Sequence, residues 1–165
     1  MMKKPGIPET MTIRTAAGTD FNRVKHLVHS ELINPWGLKE ERFLIAEDRA
    51  GNLLGCIQIK QHLGGAKELA SLVVSPAWRE RGVAKSLVET AKERSGSSLW
   101  LTCRSRLIPF YERFGFREFS DRTQMPLYFK LVPLFEKLLR MIGRMEGYIA
   151  VMRWDGSEES TADVL

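Results

Sequence analysis

Residues 69–88 read Leu69-Ala-Ser-Leu-Val-Val-Ser-Pro-Ala-Trp-Arg-Glu-Arg-Gly-Val-Ala-Lys-Ser-Leu-Val88. The stretch opens with a short apolar run rich in β-branched residues, which predicts a buried strand. Pro76 ends this strand, because proline has no N–H to donate to a sheet. A basic turn then leads into a pattern typical of an amphipathic helix. The apolar face of that helix consists of Val83, Leu87, Val88 and Ala91.

The turn between this strand and this helix predicts an anion-binding site. Backbone N–H groups at a helix start have no partner one turn back, and the helix dipole adds roughly half a positive charge there. Gly82 and Ala84 leave room for a pyrophosphate to approach the backbone. Formal positive charge is added by Arg79, Arg81 and Lys85.

Two motifs carry a resemblance to a known family. Arg79-x-x-Gly82-x-Ala84, preceded by Val74-x-Pro76-x-Trp78, resembles motif A of the GCN5-related N-acetyltransferase (GNAT) superfamily. Pro109-Phe-Tyr-Glu-Arg-Phe-Gly-Phe116 resembles the Tyr-Glu-x-x-Gly-Phe segment in which a later helix of these enzymes ends, with glycine as a left-handed cap. The resemblance is close over residues 69–119 and looser over about residues 11–154.

The resemblance implies a mixed α/β (α+β) fold. Its central sheet is mostly antiparallel, is flanked by about four helices, and is splayed between the two central strands. The chain's own patterns agree with the element order β-α-β-β-β-α-β-α-β. Strands are predicted at 11–15, 43–46, 53–59, 69–74, 98–103, 116–119 and 148–154. Thr19 or Asp20 is expected to cap the first helix.

A chain of 165 residues is expected to form one domain with its own core. We predict a single GNAT domain over residues 1–154, with an inserted helical segment at about 127–146. The acidic, polar tail at 155–165 is predicted to be disordered.

The inserted segment has apolar residues on one helical face, with Pro133 in its first turn and Gly143 as its cap. The face is marked by Leu134, Leu138 and Met141, with Phe135, Leu139 and Ile142 beside it. The alternatives are packing on the domain's own core, a substrate lid, a contact in a homodimer, or a basic amphipathic surface for membranes. Our expectation is that the segment walls the acceptor side of the cleft and sets substrate choice.

The charge pattern favours a phosphate-bearing cofactor. The net charge is +5, and residues 79–117 alone hold nine Lys and Arg against four Glu. The excess therefore lies around the proposed anion site, and coenzyme A explains it more economically than nucleic acid, for which no recognition motif is present. Cys56 and Cys103 are predicted to be buried, reduced thiols.

Other classes of site and location have little support in the sequence. His26, His29 and His62 form no metal-ligand pattern, so no metal is expected. No apolar run has the length of a membrane span and no secretory signal is present. We expect a cytoplasmic protein, with organelle targeting left open.

The resemblance implies acetyl-CoA as cosubstrate and transfer of its acetyl group to a primary amine by direct attack in a ternary complex. The acceptor stays open between a small molecule, a peptide N-terminus and a lysine. The implied cofactor-binding turn comprises Arg79, Glu80, Arg81, Gly82, Val83, Ala84 and Lys85. A backbone N–H among Leu72, Val73 and Val74 is implied to polarise the thioester carbonyl.

The implied general acid is Tyr111, with Tyr128 as a weaker candidate. Glu68 is the candidate general base, acting through water or with a raised pKa. The alternative for Glu68 is a solvated residue at a strand end, and Glu31, Glu40 and Glu47 stay open as bases. Arg104 stands where many family members have an asparagine that contacts the pantetheine arm, and its cation could instead reach a cofactor phosphate.

Two other classes of function remain in competition with catalysis. One is a non-catalytic acyl-CoA sensor or partner-docking module on the same fold. The other is a nucleic-acid binder, which would bind generic DNA with strong salt dependence.

Overall fold

The computed structural model describes residues 11–31, 37–141 and 147–156. The fold is mixed α/β, with seven mostly antiparallel strands, as predicted. The strands are β1 (Thr12–Thr15), β2 (Phe43–Glu47), β3 (Leu53–Gln61), β4 (Lys67–Val74), β5 (Leu99–Arg104), β6 (Arg117–Glu118) and β7 (Ile149–Trp154). The helices are α1 (Phe21–Ser30), α2 (Val83–Ser95), α3 (Ile108–Glu112), α4 (Leu127–Lys130) and α5 (Val132–Met141).

The chain divides into two compact units. The first runs to Lys60 and continues from Glu68 to Ser95; the second comprises Gln61–Lys67 and the chain from Gly96 onward. The expectation of one GNAT domain over residues 1–154 stays a prediction.

The first unit is built around β2. Its residues Phe43, Leu44, Ile45 and Ala46 are all buried, so both faces of this strand are covered. Strand β1 pairs antiparallel with one edge of β2, and β3 pairs antiparallel with the other. The apolar stripe of α1 packs on this layer, where Val24 and Val28 join Phe43, Ile45 and Cys56 in one cluster. Alternation and helical spacing had predicted these elements.

Gly55 allows α2 to approach the strands closely. A β-carbon at Gly55 would lie 2.7 Å from the Val73 carbonyl oxygen and 3.3 Å from a methyl of Val83. Only glycine therefore leaves room for this packing. The predicted apolar face of α2 is confirmed, since Val83, Leu87, Val88 and Ala91 are all buried.

Asp20 does not cap α1 with its side chain, contrary to expectation. Its buried carboxylate accepts the backbone N–H of Ala17 at 2.8 Å and the Arg14 guanidinium at 2.6 Å. Arg23 also binds Asp20, and both arginines reach Glu47 at the end of β2. The hydrogen bond from Arg14 holds the pKa of the Asp20 carboxyl well below its usual range. Charge pairing across β1, α1 and β2 thus replaces the cap.

The second unit contains the antiparallel order β5-β7-β6. Trp100 of β5 stacks on Phe129 of α4 and meets Phe119 edge-on. Met125 and Val151 complete this buried cluster. The aromatic side chains therefore attach α4 to the strands.

The predicted helical segment at 127–146 forms α4 and α5 over its described part. Phe129 is fully buried and Val132 packs beside it, but the described members of the predicted α5 face, Leu134, Phe135, Leu138 and Met141, are exposed to solvent. The interpretation of the whole segment as core is therefore wrong for that face. Residues 142–146, with the predicted Gly143 cap, and 157–165 of the predicted tail lie outside the described residues.

Within the described residues, no helix combines the length and apolar character needed to cross a membrane.

We predict that Asp20→Asn lowers the free energy of unfolding by about 3 kcal/mol at pH 7, because it removes the buried carboxylate that two arginines share and leaves them only Glu47. Since the pKa of Asp20 is lowered on folding, its stabilisation is present above its unfolded pKa of about 3.9 and is lost as the pH falls below it. Urea unfolding at pH 7 and pH 3 should show the difference between the variants shrinking at the lower pH. Asp155→Asn, which alters an exposed ion pair with Arg153, should change stability little at either pH. Equal losses for the two variants would contradict the prediction.

Candidate functional site

Strand β4 has an irregular backbone at its centre. Ser71 adopts φ = +51°, a conformation that residues with a β-carbon rarely take. The burial pattern is irregular here as well, since Ala70, Ser71 and Leu72 are all half-buried between Leu69 and Val73. Such a break turns neighbouring backbone groups away from regular ladder positions. Ser71 therefore interrupts the regular backbone of β4 just before its last three residues, Leu72–Val74.

A short 3₁₀ turn at Pro76–Trp78 follows β4 and leads to the basic turn. Two residues of that turn are left-handed, Glu80 at φ = +60° and Gly82 at φ = +82°. Left-handed residues next to right-handed ones let successive backbone N–H groups converge on one point. The first intrahelical bond of α2 runs from the Ser86 N–H to the Gly82 carbonyl at 3.0 Å. N–H groups earlier in the first turn of α2 lack such a bond, which is the arrangement that binds anions.

The cations of the turn have different surroundings. The guanidinium of Arg79 donates to the Val74 carbonyl at 3.3 Å and pairs with the carboxylate of Glu31. Arg79 therefore fastens the turn to the end of β4 and to the residue after α1. Arg81 lies over the ring of Trp78, 5.0 Å from the ring centroid, and Lys85 is exposed on the first turn of α2.

Glu68 is the second residue of β4 and only 4% exposed. The alternative that it is a solvated residue at a strand end is therefore wrong. Burial of a carboxylate is unfavourable unless it is satisfied by partners, so this position has a structural or chemical role.

The two remaining candidates belong to the second unit. Arg104 is the exposed last residue of β5. Tyr111 lies in α3, half-buried among aromatic rings, 5.0 Å from the Phe110 centroid and 6.1 Å from that of Phe116. Loss of solvation raises the pKa of its phenol well above the ordinary value, and Cys103 adds to the shift.

The chain after Tyr111 turns as the second motif predicted. The N–H groups of Phe114 and Phe116 donate to the Tyr111 carbonyl at 3.0 and 3.3 Å. Gly115 adopts φ = +81°, so the left-handed cap is confirmed. This cap holds Tyr111 against Phe116, the residue before β6.

A family model described as an acetyltransferase (GNAT) domain matches residues 39–118. This range includes β4, the basic turn, α2 and Tyr111.

Residues 39–118 belong to the GNAT acetyltransferase family.

Solved structures of GNAT proteins share its fold. N-acetylglutamate synthase from Neisseria gonorrhoeae, complexed with coenzyme A and N-acetyl-glutamate, matches with a TM-score of 0.69 at 21% identity over 90% of this chain. The match covers 36% of the synthase, so the chain spans about a third of that protein. Rv2747 from Mycobacterium tuberculosis, in complex with CoA, matches with a TM-score of 0.68 at 20% identity, over 87% of this chain and 98% of its own.

The ribosomal-protein-S18-alanine N-acetyltransferase of Escherichia coli has a TM-score of 0.60 at 17% identity, over 94% of this chain and all of its own. Comparison with curated protein sequences gave no match. Similarities at these identities establish the GNAT fold and leave the substrate to be argued from this chain's residues.

Two backbone features of this GNAT domain had no signal in the sequence. Ser71 and Glu80 are the described non-glycine residues with positive φ, and neither residue type favours that conformation strongly. Ser71 lies inside β4, three residues before the first motif begins at Val74. Glu80 lies within the basic turn of that motif. Left-handed strain of this kind clusters at functional sites.

The GNAT domain's two cysteines are buried, as predicted. Loss of solvation raises the pKa of the Cys56 thiol to about 12 and that of Cys103 to about 11. Both thiols therefore stay protonated at neutral pH, whereas a nucleophilic cysteine must be a thiolate.

We predict that Glu80→Gly is more stable than Glu80→Ala by about 1 kcal/mol, because both variants lose the same side chain while only glycine adopts φ = +60° without strain. Chemical unfolding of the two variants measures the difference. The matched control is Glu93, exposed within α2, where alanine should be the more stable replacement by about 1 kcal/mol. The same order at both positions would show that Glu80 is not left-handed in solution.

Proposed function

We propose that the protein is an acetyl-CoA-dependent N-acetyltransferase that transfers the acetyl group to a primary amine. The observation that carries the proposal is the turn from β4 into α2, where left-handed Glu80 and Gly82 precede the start of a helix. Converging N–H groups and nearby cations are what a pyrophosphate requires. The neighbours solved with coenzyme A support the same ligand.

In this proposal the backbone of residues 80–84 binds the pyrophosphate of acetyl-CoA. Arg81 and Lys85 add charge, while Arg79 positions the turn through Val74 and Glu31. Gly82 and Ala84 leave the backbone open to the ligand, because neither carries a long side chain. Arg104 is proposed to reach a phosphate from the end of β5.

The thioester carbonyl is proposed to accept a hydrogen bond from a backbone N–H among Leu72, Val73 and Val74. The irregular backbone at Ser71 supports this, because a regular ladder would occupy every N–H of the strand. A preorganised donor of this kind stabilises the charge that develops on the carbonyl oxygen, by about 3 kcal/mol in comparable sites.

Tyr111 is proposed to donate a proton to the departing thiolate of coenzyme A. Desolvation raises the pKa of Tyr111, so the phenol holds a proton at neutral pH, which is the form that a general acid requires. Glu68 is proposed to take a proton from the attacking ammonium through a water molecule. The nitrogen gives one proton to Glu68 before attack and forms the new C–N bond as the C–S bond breaks. Tyr111 protonates the departing thiolate, and the second proton, lost by the nitrogen as the amide forms, returns through water to the Tyr111 phenolate.

Direct attack in a ternary complex is proposed over an acetylated enzyme. The buried, protonated state of Cys56 and Cys103 supports this order, since neither offers a thiolate to the acetyl group. Initial-rate plots against both substrates should intersect, and parallel lines would contradict the proposal.

Gly82→Glu should abolish acetyl-CoA binding, because it puts a side chain and a negative charge where the phosphates are proposed to lie. Titration calorimetry with acetyl-CoA measures this directly. The matched control is Gly51→Glu in the β2–β3 turn, where φ is +79° and the space is open, so the backbone strain and added charge are the same. Equal affinity of the two variants would contradict the proposed position of the pyrophosphate.

Tyr111→Phe should lower kcat about 100-fold while leaving the affinity for acetyl-CoA nearly unchanged, because only the proton donor is removed. Tyr128→Phe is the control, since Tyr128 is the other candidate acid and is largely exposed. Steady-state kinetics with a basic amine acceptor tests both. Wild-type turnover in Tyr111→Phe with a loss in Tyr128→Phe would reverse the assignment.

The pH profile gives a further test of Tyr111. Its acid form is the active one and its pKa is raised, so kcat should not fall on the alkaline side up to about pH 10. A decline in kcat centred below pH 9 in the wild type, absent in Tyr111→Phe, would contradict a raised pKa.

The competing function is an acyl-CoA sensor without turnover. An assay of coenzyme A release over a panel of amines and peptides separates the two functions. Acetyl-CoA binding without release on any acceptor would favour the sensor.

A further inference from the structure

Helix α5 presents an apolar stripe to solvent. The stripe consists of Leu131, at the junction with α4, and Leu134, Phe135, Leu138 and Met141. These side chains are between 51% and 76% exposed. They recur at intervals of three and four residues, so they form one continuous face along the helix. We call these five residues the α5 stripe.

The helix is fixed to the protein by its opposite side. Val132 packs against the cluster of Trp100, Met125, Phe129 and Val151. The Glu136 carboxylate accepts the Ile149 N–H of β7 at 3.2 Å. The α5 stripe is therefore the outward side of an anchored helix.

A second exposed apolar group belongs to the same unit. Leu63 is fully exposed at the tip of the β3–β4 loop, next to two glycines. The preceding residue, His62, stacks on Tyr128 of α4 with ring centroids 3.9 Å apart. This stacking places the loop beside α4, so that Leu63 is a second exposed apolar side chain next to the helical segment.

The charged residues in the sequence of α4 and α5 are mostly cations. From Leu127 to Met141 the sequence has three cations, Lys130, Lys137 and Arg140, and one acid, Glu136. That acid is turned toward the backbone of β7. Lys137 follows Leu134 by one turn and precedes Met141 by one turn, so it flanks the stripe. Arg122, whose guanidinium donates to the Lys130 carbonyl at 3.2 Å, adds a further cation.

We propose that the α5 stripe and Leu63 dock the protein reversibly on an anionic lipid bilayer. An anchored helix with leucine and phenylalanine on one side and flanking lysines has the features of helices that lie in the bilayer interface. Anionic headgroups complement Lys130, Lys137 and Arg122, while the apolar side chains enter the acyl boundary. The proposal goes beyond acetyl transfer and does not depend on it.

Charge argues against a second copy as the partner. A two-fold contact through the α5 stripe would gather the cations of both copies in one interface, with no acid from the facing side of the helices to pair with them. The sole acid of the two helices is occupied by β7 and is turned away from such a contact. A lipid surface removes this repulsion, because its charge is opposite.

Co-sedimentation with vesicles tests the proposal. The full chain should bind vesicles of phosphatidylcholine with about one-third phosphatidylglycerol, and bind pure phosphatidylcholine at least about tenfold more weakly. Raising the salt should weaken binding to the anionic vesicles. No binding to the anionic vesicles at low salt would overturn the proposal.

Variants locate the surface. Leu134→Gln with Leu138→Gln should lower the partition coefficient about tenfold or more, because two exposed apolar side chains no longer enter the bilayer. Lys137→Glu should lower it about tenfold through charge. Lys25→Glu, the same change at an exposed position of α1, should lower it less than about twofold. Unchanged binding in both α5 variants, or equal loss in Lys25→Glu, would overturn the assignment to the α5 stripe.

Two further measurements test whether the variants are folded and whether the protein is a monomer. Thermal unfolding should show that the variants are folded, since the substituted side chains are exposed. Light scattering without lipid should show a monomer for the wild type. A wild-type dimer that becomes monomeric in the Leu134→Gln, Leu138→Gln variant would overturn the proposal in favour of a second copy.

Discussion

The left-handed backbone at Glu80 and Gly82 is the constraint on which the rest of the candidate site depends. It determines where α2 begins, and therefore where the N–H groups of its first turn point. The turn is held at its other end by Arg79, which joins the Val74 carbonyl and Glu31. Close packing of Val83 over Gly55 then sets the height of the helix above the strands. Close packing of α2 side chains on the Gly55 backbone thus supports a turn whose proposed ligand contacts are backbone groups.

The elements of the fold could be predicted because their signals are local. Apolar runs on either side of a turn predicted β2 and β3, helical spacing predicted α1 and α2, and the glycine of the second motif predicted the cap after α3. These patterns report which face of an element avoids water, and that preference survives folding. The prediction of a side-chain cap at Asp20 was wrong because the role of this residue depends on distant contacts. Its local role as a cap competes with two arginines, and only the folded chain brings Glu47 close enough to complete the network.

The sequence predicted which residues form the candidate site better than it predicted the contacts that those residues make. The motif identified Arg79 as a cation, but the sequence gives no sign that Glu31, forty-eight positions away, pairs with it. Burial of Glu68 and positive φ at Ser71 are likewise results of tertiary packing. The same limit applies to α5, where the pattern predicts two faces without indicating which one the protein itself covers. Phe129 and Val132 take the inner position and leave the α5 stripe outside.

Desolvation links the chemistry of Tyr111 to that of Cys103. Cys103 lies in β5 and contributes to the raised pKa of Tyr111, so the two groups share one poorly solvated environment. That environment disfavours the anionic form of each. For the thiol it removes the nucleophile that an acetyl-enzyme route would require. For the phenol it preserves the proton that a departing thiolate must receive. One physical cause, the loss of water around α3 and β5, therefore keeps both groups protonated, which is consistent with the proposed direct transfer and the proposed role of Tyr111.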